Sequence, residues 1–391
     1  MPGFNHLDLL GLSIIINMMN LLRAPVFIFL CFAINGPLIF AQRTALVSSM
    51  DDSKLAAQVL LAGIEGRQSL TPAMRSLLER IPAGGIMLFR YNLDSSKAQA
   101  KVFLSEVSSL VAAGAGIPPF MAVDHEGGLV NRFGSVAERL PSAYSFFELA
   151  RRDGREAALE KAETLYRRSA VEIKELGINM VLGPVAEILN DDNRLFLETR
   201  SYGPEKAFTL AAASVYIKCM DKAGIASVVK HFPGSGQGDP HRVVSVINAD
   251  KEALAEMAAP FAGIISSLNP PAMMISHVMV PAIDGKKNAS LSRPVIEGWL
   301  RGELGFKGIV LADDYSMGAV KTSGLGAAAA AVEALNAGVD MIMVWPQNMA
   351  AVHEAILKAL GEGRLSRGRL LEAAERIIAG KQRYGIIALS K

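Results

Sequence analysis

Cysteine is scarce in this sequence, with two residues among 391. Cys31 lies in an apolar N-terminal stretch and Cys219 is isolated, so the chain can form neither a disulfide framework nor a CxxC metal site. No cluster of histidine, cysteine and aspartate has metal-ligand spacing, and we expect neither a metal nor a cofactor. The fold must therefore be held together by packing.

Excess charge of one sign is also missing, because 40 lysines and arginines are balanced by 38 aspartates and glutamates. No block of five or more like charges occurs in the chain. A protein without a strong electrostatic field does not recruit a polyanion, so we do not expect nucleic acid as a partner. Apolar residues make up 51% of the sequence, which is sufficient for a large buried core.

The N-terminal apolar runs are shorter than the roughly 20 residues that a membrane-spanning helix needs. Residues 9–16 and 24–34 form two such runs, separated by asparagines and Arg23. A positive residue, an apolar stretch and a small residue at Ala41 together match a secretory signal. We therefore expect residues 1–41 to be a signal peptide and the protein to be periplasmic or secreted. An uncleaved membrane anchor, or a hydrophobic helix packed on the domain, is the alternative.

Residues 42–391 repeat one unit, in which a short β-rich run is followed by a loop and a stretch of helical periodicity. Such alternation predicts a parallel sheet covered by helices. Repetition over about 250 residues or more, without a linker, favours a single catalytic domain with a (β/α)8 TIM-type barrel over an open doubly wound sheet. Seven strands are recognisable and an eighth is obscure; the seven are predicted at Gly85–Phe89, Phe120–Asp124, Met180–Val185, Ala226–Phe232, Met273–His277, Gly308–Asp313 and Asp340–Trp345.

Polar side chains lie at the carboxyl ends of the predicted strands, whereas the strand interiors are apolar. Asp124, Lys230, His231, His277 and Asp313 all occupy such positions. In a barrel these strand ends meet at one mouth, where active sites are built. The placement predicts a functional site, although each residue taken singly is also compatible with a solvated turn or a satisfied position in the wall.

Acidic residues and a histidine suffice for glycoside hydrolysis, in which a carboxylate attacks the anomeric carbon while a second group protonates the leaving oxygen. Asp313 ends an apolar run and is the best candidate for the nucleophile, while one of the pair Asp313 and Asp314 could instead cap the next turn. The loop after Lys230 carries Asp239 and His241. A carboxylate beside an imidazole orients the ring, so this pair can deliver and reclaim a proton.

Three segments carry recognisable motifs: residues 123–133 are VDHEGGLVNRF, residues 230–234 are KHFPG and residues 312–317 are ADDYSM. They resemble the motifs of family-three glycoside hydrolases, and most closely those of the bacterial β-N-acetylglucosaminidases (β-hexosaminidases). Further short motifs follow in order from about residue 84 to residue 343. The resemblance therefore covers most of the chain.

The resemblance implies a (β/α)8 barrel and a retaining, two-step mechanism through a covalent glycosyl-aspartate. It implies that Asp313 is the nucleophile and that His241, assisted by Asp239, is the acid/base. A further set of residues matches positions that hold the substrate: Asp124, Arg132, Arg200, Lys230 and His231 for the terminal sugar, and His277 at another position of the mouth.

The chain departs from the family pattern around the same site. Ser235 replaces the second histidine of a Gly-His-Gly loop, and the loop from residue 234 to residue 241 is shorter than usual. Family members commonly have glutamine where His125 lies and aspartate where Glu187 lies. Because the shortened loop carries the acid/base pair, one alternative is a sugar-binding barrel that has lost catalysis.

The sequence therefore predicts an exported, exo-acting β-N-acetylglucosaminidase whose partner is a carbohydrate, either a peptidoglycan fragment or a chito-oligosaccharide. An exported location favours cell-wall turnover or glycan scavenging. A β-glucosidase or a glycoside phosphorylase of the same superfamily is the alternative enzyme, since a histidine acid/base leaves room for an anionic acceptor that a carboxylate would repel. If the N-terminal segment is not cleaved, it would also anchor the protein to a membrane.

Overall fold

The computed structural model describes residues 40–93, 96–238, 243–316 and 324–388, which fall into two units. The first unit is described only between residues 40 and 49, where residues 40–48 are helical. The second unit, Met50–Ala388, contains all the elements discussed below. Within the described ranges no helix combines the length and the apolar character needed to cross a bilayer. The predicted signal segment lies almost wholly outside these ranges.

Eight parallel strands close into a barrel, which confirms the predicted (β/α)8 fold. The ring runs from β1 through β2, β3, β5, β6, β7, β10 and β11 back to β1. Two hairpins, β3–β4 and β8–β9, lie in the loops beyond β3 and β7. The strands are β1 Leu60–Gly63, β2 Gly85–Leu88, β3 Phe120–Gly127, β4 Val130–Asn131, β5 Met180–Val185, β6 Ala226–Phe232, β7 Ala272–Ile275, β8 Met279–Val280, β9 Asp284–Asn288, β10 Ile309–Ala312 and β11 Met341–Val344.

The eighth strand, which the sequence left obscure, is β1. Only Val59 separates it from helix Asp52–Gln58, so no glycine, proline or polar turn residue marks the start of the strand. All four residues of β1 are buried, and Leu61 pairs with Gly85 of β2 on one side and Met343 of β11 on the other. A short buried strand without alternation cannot be told from a helix by periodicity alone.

The helices cover the outside of the barrel, and several begin with a side-chain cap. Asp51, Thr71, Ser142, Asp250 and Ser366 each accept a hydrogen bond from a backbone N–H of the first turn. The α-helices are Asp52–Gln58, Pro72–Arg80, Lys97–Ala115, Ala143–Asp153, Arg155–Glu175, Arg194–Leu197, Lys206–Lys222, Lys251–Leu268, Ala327–Ala337, Pro346–Gly361 and Arg367–Arg383, and Pro294–Glu303 is a π-helix.

The amino end of the barrel is held by a buried ion cluster. Asp340, which immediately precedes β11, is fully buried and accepts hydrogen bonds from Arg301 at 2.6 Å, and from Arg369 and Arg376 at 2.8 Å each. It also accepts the backbone N–H of Val310 in β10 at 3.0 Å. Burial raises the pKa of the Asp340 carboxyl, but the three guanidinium groups outweigh burial and lower it. This end of a barrel serves stability, which leaves the opposite end for function.

Candidate active site

The carboxyl ends of the barrel strands surround a pocket of about 540 Å³. This size falls within the range of small-molecule sites. Seven of the residues predicted from sequence line it together: Asp124, Arg132, Arg200, Lys230, His231, His277 and Asp313.

Charged side chains on one side of the pocket form a continuous chain of ion pairs. Arg132 Nη2 lies 3.1 Å from Asp124 Oδ2, and Lys230 Nζ lies 2.9 Å from Asp124 Oδ1 and 2.6 Å from Glu126 Oε1. Arg200 donates two hydrogen bonds to Glu126, from Nε to Oε2 at 2.7 Å and from Nη2 to Oε1 at 3.0 Å. The side chains of Lys230 and Glu126 are each only 3% exposed, so these pairs are shielded from solvent screening.

The ion pairs fix the charge states of this chain. Burial raises the pKa of Asp124, but Lys230 and Arg132 outweigh burial and lower it. Burial likewise opposes ionisation of Glu126, yet Lys230 and Arg200 hold its pKa well below the usual range. Burial lowers the pKa of Lys230, and the two carboxylates beside it raise it above its ordinary value. All three groups are therefore charged at neutral pH.

His231 is oriented by a buried glutamate from the neighbouring strand. Its Nδ1 lies 2.6 Å from Oε1 of Glu187, two residues beyond β5, and its side chain lines the pocket. The hydroxyl of Ser201 donates to the Glu187 carbonyl at 2.7 Å and fixes that turn. The other carboxylate oxygen, Oε2, is buried without a hydrogen-bond partner among the described residues. The contact with Glu187 therefore fixes the orientation of the His231 ring, which lines the pocket.

The two adjacent aspartates after β10 differ in what surrounds them. Both carboxylate oxygens of Asp314 are engaged, Oδ1 by the Ser316 backbone N–H at 2.9 Å and Oδ2 by the Ser316 hydroxyl and the Trp345 indole N–H. Asp313 accepts the backbone N–H of Asp314 at 2.8 Å through Oδ1, and both aspartates line the pocket. The geometry thus gives Asp314 the turn-forming role that the sequence left open between the two, whereas the role of Asp313 as nucleophile stays a prediction.

His277 joins the loop after β10 to the segment that follows the hairpin beyond β7. Its Nε2 lies 3.3 Å from the Asp314 carbonyl oxygen, which can only accept, so Nε2 carries a proton. Burial lowers the pKa of His277, which keeps the ring neutral, and Nδ1 then accepts the Ser290 hydroxyl at 2.7 Å. The ring therefore positions the backbone next to Asp313.

Asp239 and His241, the predicted acid/base pair, lie outside the described residues, so their placement stays a prediction. The residues on either side are described. Ser235 lines the pocket, and its loop is held by a bridge between Gln237 and Val246.

Aromatic and apolar side chains line the side of the pocket formed by β11, β1 and β2. Phe89, Tyr91 and Trp345 line this side, directly beyond the ends of β2 and β11, together with Met87 and Met343 inside those strands. The pocket therefore combines a charged side with a mainly apolar one, to which Arg90 contributes a charge.

Three residues in or beside the pocket, Glu126, Glu187 and Trp345, were not selected from the sequence as site residues. Glu126 belongs to a motif that was recognised, but its ion pairs with Lys230 and Arg200 were not anticipated. Glu187 was noted only as a departure from the family. Trp345 closes a predicted strand, as Asp313 does, and the same strand-end criterion would have selected it had aromatic residues been counted.

Known proteins are similar to this chain in both sequence and fold. Residues 53–379 match the family described as the glycosyl hydrolase family 3 N terminal domain. A β-hexosaminidase of Methylococcus capsulatus is 33% identical over 319 residues, covering 77% of this chain and 91% of the relative. A β-hexosaminidase of Stenotrophomonas maltophilia is 31% identical over 334 residues, covering 81% of this chain and 95% of the relative.

Solved structures agree with these relatives. A glycoside hydrolase family 3 β-N-acetylglucosaminidase from Paenibacillus is similar with a TM-score of 0.80 and 30% identity, covering 88% of this chain and 64% of that chain, slightly less than two thirds of its length. A family 3 glycosyl hydrolase from Mycobacterium smegmatis has a TM-score of 0.74 and 27% identity, covering 85% of this chain and 98% of that one. The protein therefore belongs to glycosyl hydrolase family 3 and is a glycoside hydrolase.

Proposed function

We propose that the protein is a retaining exo-β-N-acetylglucosaminidase, which removes terminal β-linked N-acetylglucosamine from a glycan. The observation that carries this proposal is the pocket itself, which brings Asp313 together with the five residues that the resemblance assigns to the terminal sugar. Relatives named β-hexosaminidase, and the Paenibacillus β-N-acetylglucosaminidase, support the substrate class.

The proposed reaction has two steps. In the first, an oxygen of Asp313 forms a bond to the anomeric carbon while His241 gives a proton to the departing glycosidic oxygen, so a glycosyl-aspartate forms and the leaving group departs as an alcohol. In the second, His241 takes a proton from water, whose oxygen attacks the anomeric carbon and releases Asp313. Asp239 would orient His241. The carboxylate and the imidazole supply the nucleophile and the proton, so the scheme uses no cofactor or metal.

The charged side of the pocket would hold the terminal sugar. Arg132 and Lys230 offer N–H donors, while Asp124 offers acceptor oxygens, and sugar hydroxyls can both donate and accept. Because these groups are already fixed in ion pairs, binding requires little rearrangement of the protein. Arg200 and His231, each anchored by a glutamate, would complete the contacts.

We further propose that residues 1–41 export the protein, and that it acts on peptidoglycan fragments or chito-oligosaccharides outside the cytoplasm, in cell-wall turnover or glycan scavenging. The N-terminal pattern described above supports this. N-terminal sequencing of the protein from the periplasm or medium should begin at Gln42. Recovery of the intact N-terminus in the membrane fraction would instead indicate an uncleaved anchor.

The central experiment compares the purified protein on chromogenic β-N-acetylglucosaminide and β-glucoside, with and without inorganic phosphate. We expect turnover of the N-acetyl sugar alone, with free sugar as product and its β-anomer appearing first by NMR. Asp313→Asn should abolish turnover, His241→Ala should reduce it, and Glu175→Gln, an exposed substitution far from the pocket, is the matched control. A phosphorylated product would support the phosphorylase, and a folded protein that binds sugar without turnover would support the inactive barrel.

A further inference from the structure

We propose that three aromatic rings on the apolar side of the pocket, Trp345, Phe89 and Tyr91, bind the second pyranose ring of the substrate, the one on the leaving-group side of the scissile bond. These rings are called the aromatic ladder below. This inference rests on the proposed function and extends it from the terminal sugar to a second sugar subsite.

The three rings of the aromatic ladder stack on one another and are held in place by neighbouring groups. The centroids of Trp345 and Phe89 are 4.6 Å apart with an interplanar angle of 14°, and those of Phe89 and Tyr91 are 5.9 Å apart at 12°. The Tyr91 hydroxyl donates to the Ile64 carbonyl at 2.8 Å, which fixes the far end. A Cβ at Gly63 would lie 3.3 Å from the Phe89 ring, so the glycine at the end of β1 lets that ring pack closely.

The pocket is divided around the barrel ring into two chemically different arcs. The arc from β3 to β10 carries Asp124, Lys230 and Asp313. The arc from β11 through β1 to β2 presents the aromatic ladder, with Arg90 as its one charged residue among the described pocket residues. A pyranose ring has hydroxyls around its edge and apolar C–H groups on its faces. Ring surfaces of aromatic residues suit those C–H faces, and charged groups suit the hydroxyls.

The position of Trp345 decides which sugar meets the aromatic ladder. Its indole N–H donates to the carboxylate of Asp314, the residue directly after the proposed nucleophile Asp313, so the ladder begins next to Asp314 and extends from there to Tyr91. In the proposed function the opposite arc already holds the hydroxyls of the terminal sugar. The ring joined through the scissile bond is therefore the one that reaches the aromatic ladder.

Binding can be followed by intrinsic fluorescence, because the chain has only two tryptophans. Trp299 is 7% exposed and packs against Phe232, so Trp345 is the one placed to report on the pocket. In the full chain carrying Asp313→Asn, we expect N,N′-diacetylchitobiose to change the emission saturably and N-acetylglucosamine to leave it nearly unchanged. The signal should disappear when Trp345→Phe is added. An equal change with the monosaccharide, or none with the disaccharide, would overturn the proposal.

Kinetics separates binding by the aromatic ladder from support of the nucleophile. With wild-type residues elsewhere, Trp345→Leu should raise KM for the disaccharide about tenfold but change KM for methyl β-N-acetylglucosaminide by no more than about twofold. Trp345→Phe keeps an aromatic ring but loses the N–H donor to Asp314, so its KM for the disaccharide should remain near the wild-type value. If both variants instead lower kcat equally on both substrates, Trp345 acts only by holding Asp314 and the proposal fails.

The proposed function fails independently of this inference. A wild-type protein that shows the disaccharide-specific fluorescence change yet hydrolyses neither substrate would keep the second subsite and refute the hydrolase. A protein that hydrolyses both substrates without any dependence on Trp345 would do the reverse.

Discussion

Replacing Glu126 with glutamine tests the connected ion pairs on the charged side of the pocket. The change removes one of two carboxylates beside the buried Lys230 ammonium and takes the charged partner from Arg200. Breaking a buried ion pair by neutralising one partner costs about 3–5 kcal/mol of unfolding free energy. Asp124 remains 2.9 Å from Lys230 and the amide oxygen can still accept, so we expect the lower limit, about 3 kcal/mol. For a domain of this size that is a fall in Tm of about 4 °C.

The assay is equilibrium urea unfolding followed by circular dichroism, with Glu175→Gln as the control. Glu175 pairs with Lys97 at 2.8 Å, but the two side chains are 56% and 47% exposed, so solvent screens the pair and loss of the Glu175 charge should hardly change the free energy of unfolding. The pKa of Glu126 is lowered in the folded state, so its charge stabilises fully above the unfolded pKa of about 4.3. That stabilisation fades as pH falls towards the folded pKa. Equal costs for the two variants at pH 7, or a gap that persists unchanged in acid, would refute the reasoning.

Three further changes test other parts of the fold and site. Glu187→Ala removes the partner of His231, and we expect kcat/KM for an N-acetylglucosaminide to fall about tenfold with an unchanged circular dichroism spectrum. Ser290→Ala removes the hydroxyl that donates to Nδ1 of His277, whose ring contacts the backbone next to the proposed nucleophile, so steady-state kinetics should show a lower kcat with little change in KM. Burial lowers the pKa of Lys381 to about 7, so wild-type stability should rise between pH 7 and about 10, where the unfolded lysine loses its proton. Urea titrations should show a smaller rise in Lys381→Met, and an identical slope would contradict the assignment.

The barrel could be predicted from sequence because its signals are local. Alternation of short apolar runs with amphipathic stretches depends on residues close together in the chain, and the predicted Met180–Val185 and Ala226–Phe232 agree with β5 and β6 as observed. Strand β3 extends to Gly127 because its end pairs with β4, a contact that no periodicity reveals. Strand β1 was missed since its burial depends on neighbours from both ends of the chain, β2 and β11.

The site was only partly predictable, because a strand-end position identifies a residue but not its partner. Asp124 and Lys230 were both selected, yet they are 106 positions apart in the sequence and their ion pair could not be anticipated. Glu187 and His231 are 44 residues apart, and their contact depends on the register of β5 and β6. Motifs can be recognised from residue spacing within one segment. Contacts between side chains from different strands form only when the barrel closes, so the sequence does not reveal them.

The adjacent residues Asp313 and Asp314 show that identical side chains make different contacts once the barrel has closed. Asp314 contacts three separate parts of the mouth: its backbone N–H supports Asp313, its carbonyl meets His277, and its carboxylate receives the indole of Trp345. A carboxylate whose two oxygens are already engaged by Ser316 and Trp345 makes a poor nucleophile, because attack would require those hydrogen bonds to be given up. In the proposed mechanism Asp314 could therefore not replace Asp313, because the carboxylate of Asp314 stays bound to Ser316 and to Trp345 of the aromatic ladder.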